Sequence, residues 1–93
     1  MVTAIVLLRV KIDKINEAAQ RLVELDGISE VYSVAGQYDL VVVVRGRDND
    51  QIASLVTDHI LRTDGLISSE TLIAFRTYSR HDLERIFSIG LDE

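Results

Sequence analysis

Two stretches of this 93-residue chain, residues 2–10 (VTAIVLLRV) and 40–45 (LVVVVR), are apolar at consecutive rather than alternate positions. A strand with one wet face alternates apolar and polar side chains. These two do not, so each has to be covered on both faces. A chain this short forms one domain, and one domain offers only a few layers with which to cover a sheet.

One of those layers is helical. Ile15, Ala18, Ala19, Leu22 and Leu25 recur at three- and four-residue spacing, the stripe of a helix expected to start at Asp13 as its N-cap and to end at Asp26-Gly27. A second helix is expected from Asp48, where Asp48-Asn49-Asp50-Gln51 resembles a capping box. Its stripe is Ile52, Leu55, Val56, His59 and Ile60, and Asp64-Gly65 closes it. Residues 28–35 alternate as a second strand, Gly36-Gln37 breaks them, and 38–45 return at hairpin distance. Residues 66–78 form the last strand, with Ser69, Thr71, Ile73 and Phe75 on one face and Ser68, Glu70, Leu72 and Ala74 on the other. The order is β-α-β-β-α-β. LDGISE at 25–30 echoes TDGLIS at 63–68, as the halves of a split β-α-β duplication would.

Right-handed crossovers put both helices on the same side of the four-stranded antiparallel sheet. The expected fold class is therefore α+β, a ferredoxin-like βαββαβ sandwich with one sheet face bare. Residues 2–10 and 40–45 make that face too apolar for a monomer, so two sheets are expected to pair as a two-fold dimeric α+β barrel. This domain spans 1–78. Beyond it Ser79-Arg80-His81-Asp82 repeats a capping spacing, and Leu83, Ile86 and Phe87 share one stripe, which predicts an amphipathic tail helix over 79–93. Such a helix would pack on the rim of its own subunit or on a neighbour.

Composition narrows the chemistry. The 47% hydrophobic content exceeds what so small a core needs, in keeping with an oligomer. Without cysteine there is no disulfide, thiolate cage or thiol nucleophile. A net charge of −5, with the arginines scattered, opposes direct nucleic-acid binding. The apolar run 4–8 is stopped by Arg9, far short of the roughly 20 residues a membrane span needs, and no basic leader precedes it. The expected location is cytoplasmic, away from membranes.

His59 and His81 fall on different predicted helices, and no carboxylates join them in a metal-ligand spacing. No Gly-x-Ser-x-Gly or glycine-rich phosphate loop occurs, so neither a catalytic residue nor a cofactor is expected. Most acids stand at caps and helix ends. Asp39 does not: it follows a turn and begins a valine-rich strand, where an acid is disfavoured unless it caps the turn or meets a cation. Ser68, Ser69 and Thr71 suit either a solvated strand edge or the wall of a polar-ligand pocket.

Gly36-Gln37-Tyr38-Asp39-Leu40, preceded by Val31-Tyr32-Ser33-Val34-Ala35, and Asp64-Gly65-Leu66-Ile67-Ser68-Ser69-Glu70-Thr71 carry a resemblance. The chain resembles the effector-binding (RAM) domain of the Lrp/AsnC feast/famine regulators. The likeness covers about residues 1 to 78, with Ser69 where the family usually has threonine. It implies a homodimer through the sheets, dimers often closing into an octameric ring, and a small effector, usually an amino acid, bound between dimers. Carried over, Gly36, Gln37, Tyr38 and Asp39 would form the effector loop, with Ser69 and Thr71 facing it. An ammonium would find its acceptor in Asp39, and a carboxylate its donors in the N–H groups of the turn.

Full-length members begin with a helix-turn-helix, whereas this chain starts at strand one, so DNA binding does not carry over. The expectation is a stand-alone sensor that modulates transcription through full-length partner regulators. The alternatives are a small enzyme of the dimeric α+β barrel type, monooxygenase-like or haem-dependent, and a structural oligomerisation partner without ligand.

Overall fold

The computed structural model describes residues 1–80. Its elements are β1 (Val2–Val10), α1 (Ile15–Val23), β2 (Ile28–Ser33), β3 (Leu40–Gly46), α2 (Asn49–Asp58) and β4 (Leu66–Ile73), with single 3-10 turns at Ile12–Lys14 and Ile60–Arg62. The strands form one antiparallel sheet in the order β2-β3-β1-β4. Each helix carries the chain past one strand before it re-enters the sheet, which is the expected ferredoxin-like arrangement.

Strand alternation sorts the two valine-rich runs. Ala4, Val6, Leu8 and Val10 of β1 and Leu40, Val42 and Val44 of β3 are buried with Ala18 and Leu22 of α1, Ile52 and Val56 of α2, and Ile60. The odd-numbered residues Ile5, Leu7, Val41 and Val43 point to the other side and stay only partly covered. Tyr32, opposite Val41, and Leu72, opposite Ile5, extend this face and are 47% and 45% exposed. The bare apolar face is therefore present as expected.

Element ends depart from the sequence expectation where local hydrogen bonding decides them. Asp13 lies within a 3-10 turn, and α1 starts after Lys14 without any side-chain cap. Asp48 does cap α2, accepting from the Gln51 N–H at 2.8 Å while Gln51 Oε1 accepts from the Arg47 N–H at 2.6 Å. Helix α2 stops at Asp58, so His59 is an exposed C-cap and not part of the stripe, while the following 3-10 turn carries Ile60 into the core. Strand β4 ends at Ile73, and the Ala74 N–H makes a last bond to the Thr3 carbonyl at 2.9 Å. The predicted tail helix, from His81 onward, lies outside the described residues.

Gly65 marks where β4 begins. Its φ is +85°, and a Cβ there would come within 2.7 Å of Lys14 Cβ. Gly65→Ala should therefore cost about 1–3 kcal/mol, from backbone strain and crowding together. A urea titration yielding an unchanged midpoint would show that this turn relaxes freely.

Candidate effector site

The segment joining β2 to β3, residues 34–39, is held at its base by three bonds. The Val34 N–H donates to the Asp39 carbonyl at 3.0 Å, and the Asp39 N–H donates to the Leu8 carbonyl at 2.8 Å. The third uses the side chain: Asp39 Oδ2 accepts from the partly buried Val10 N–H at 2.9 Å. Asp39 thus prolongs the β1–β3 ladder with its own carboxylate. This turn-fastening role leaves the second oxygen, Oδ1, without a donor among the described residues.

Above that base the loop is open. Gly36 has φ +143° and nothing near its Cα that a side chain would strike. The N–H groups of Gly36, Gln37 and Tyr38 find no acceptor among the described residues. Unpaired N–H groups on three successive residues leave their donors available. Tyr38 reaches back over the bare sheet face, and its hydroxyl donates to Glu70 Oε2 at 2.6 Å. That bond to Glu70 raises the phenol's pKa above its usual value of 10.0, because ionisation would give up the hydrogen bond.

Arg9, Gly36, Gln37, Tyr38, Asp39 and Ser68 line a cavity of about 580 Å³ at this end of the sheet. Four of the six residues carried over from the resemblance come together there. Ser69 and Thr71 do not join them: they lie opposite Leu8 and Val6, on the helix side of the exposed edge strand β4. Ser68, opposite Arg9 on the bare face, is the β4 hydroxyl that lines this cavity. The sequence marks neither Arg9 nor Glu70 as a site residue, and Ser68 only as one member of a hydroxyl run. Arg9 is visible as a charge interrupting an apolar strand, but its nearness to the loop depends on how β1 and β3 pair. Among the described residues no cluster of His, Asp or Glu is arranged to hold a metal ion, and no helix is long and apolar enough to cross a membrane.

The fold is thus ferredoxin-like, with a polar cavity against the β2–β3 loop at one end of the sheet. The family model for the Lrp/AsnC ligand binding domain matches residues 3–83, and the chain belongs to that family. It is 35% identical over 75 residues to the transcriptional regulator FL11 of Pyrococcus abyssi, covering 81% of this chain and 49% of that one. The chain spans about half the length of the curated relatives it matches. TTHA0845 of Thermus thermophilus superposes with a TM-score of 0.80 at 42% identity, covering 86% of this chain and all of that one. A feast or famine regulatory protein of M. tuberculosis, solved in complex with L-methionine, has the same fold, with a TM-score of 0.72 at 24% identity over 86% of this chain and 54% of its own.

Proposed function

We propose that this domain is a cytoplasmic sensor, not an enzyme, that binds an amino acid at the loop cavity and modulates transcription through full-length regulators of its family. The observation that carries the reading is the pairing of opposite needs in one cavity: three N–H groups without acceptors beside a carboxylate with a free oxygen. A zwitterion answers both. The M. tuberculosis protein supports it to the extent that the same fold there accommodates an amino acid.

The bare face of β1 and β3 pairs with that of a second copy to give a homodimer. An enzyme of the same barrel type would need polar or ligating groups at the middle of that face, where these strands supply Ile5, Leu7, Val41 and Val43; Arg9, Tyr38 and Glu70 stand at one end of it. Ser69 and Thr71 enter the effector site only from a neighbouring copy, where a ring of dimers would set the edge of β4 against the loop.

Calorimetric titration against the twenty amino acids, with thermal melts, tests the reading through Asp39→Asn. The asparagine keeps an acceptor for the Val10 N–H, so stability should change by less than about 1 kcal/mol. Binding should weaken by roughly 1.5–3 kcal/mol, because the charge facing the ammonium is gone. If the wild type binds no amino acid, the sensor reading fails. If the mutant binds as tightly as wild type, Asp39 is a turn fastener only.

A further inference from the structure

We infer that the effector is an amino acid with a second carboxylate, and that Arg9 recognises it. The inference rests on the sensor reading above and goes further by counting the charges the cavity can answer. The loop N–H groups of Gly36, Gln37 and Tyr38 serve one anionic group, the α-carboxylate. Asp39 Oδ1 serves the ammonium. Arg9 then remains: it lines the same cavity and makes no ion pair among the described residues.

A guanidinium facing a ligand pocket from a sheet is a fork for a carboxylate, bound through two parallel N–H donors. Glu70, which accepts the Tyr38 hydroxyl on the same sheet face, does not line the cavity and makes no ion pair with Arg9. Of the remaining wall, Gln37 and Ser68 present polar groups, and Tyr38, its hydroxyl engaged by Glu70, supplies one aromatic ring. Two anion acceptors and one cation acceptor fit an amino dicarboxylate, net charge −1, better than a neutral zwitterion. The chain itself carries −5, so its overall field does not draw an anion in. Any preference for the acid has to come from the groups at the site.

The test compares aspartate and glutamate with asparagine and glutamine by calorimetric titration of the intact chain, in wild type and in Arg9→Gln. Arg9 is exposed, so the variant should fold, and a circular-dichroism melt verifies it. Wild type should bind one of the acids at least about tenfold more tightly than its amide, the increment expected of one charge-assisted pair. Arg9→Gln should remove that margin, and Arg9→Lys should restore part of it. An amide or aliphatic amino acid that binds as tightly as the acids overturns this inference and leaves the sensor reading intact. So does a preference for the acid that survives in Arg9→Gln. Failure of all twenty amino acids to bind overturns both.

Discussion

Val42→Asp is expected to leave a chain with no cooperative thermal transition. Val42 is fully buried on the helix side of β3, between Val6 of β1 and Val31 of β2. No donor or cation faces that position within the core, whose members are all aliphatic. An unpaired carboxylate placed there costs several kcal/mol, comparable to the whole stability of a small domain, about 5–15 kcal/mol. Far-UV circular dichroism with heating is a sufficient assay. A cooperative melt close to that of wild type would mean that β3 had slipped by one residue and exchanged its faces.

Val43→Asp, one residue along, should do something different. Val43 points to the bare face, opposite Ile5 and Glu30, and no helix covers it. The fold should lose about 1–2 kcal/mol, from strand preference and from the like charge of Glu30 directly opposite. In the proposed homodimer the two-fold axis introduces the carboxylate twice, each desolvated against aliphatic side chains. Association weakened by about 3 kcal/mol or more corresponds to at least about a hundredfold in Kd. Sedimentation equilibrium should therefore find a folded monomer of 10.4 kDa for the variant and a dimer for wild type at micromolar concentration. Two species of equal mass would remove the sheet-to-sheet interface, and a variant that unfolds would mean that this face is already buried within one chain.

The contrast between these neighbours also shows what the sequence could reveal. Consecutive apolar residues in β1 and β3 established that both sheet faces needed cover, and the spacing of Ala18, Leu22, Ile52 and Val56 identified the helices that supply one of them. Element ends were less legible, because they turn on single hydrogen bonds. Asp48 and Asp13 look equivalent in the sequence, yet only Asp48 meets an unsatisfied N–H at a helix start.

The site was legible as a loop and not as a cavity. Gly36 and Asp39 stood out from their residue types, but which hydroxyl of β4 faces them depends on the pairing of β1 with β4, which shifts between Arg9 and Val10. Composition holds no trace of that shift. Asp39 has two readings from the sequence: the turn-fastening one has its bond in the structure, Oδ2 accepting from the Val10 N–H, and the ligand one rests on the proposal above.

The strand order β2-β3-β1-β4 governs how such a chain is made. The first strand of this domain to be synthesised, β1, has neighbours only in β3 and β4, and β2 bonds only to β3. An emerging chain that ends before residue 40 therefore contains two strands and a helix but not one pair of strands that belong side by side. Nothing in the first half can be completed and set aside while the second is synthesised. Until β3 appears, the apolar residues of β1 have only α1 to lean on, and a nascent chain stalled there is the form most in need of a chaperone.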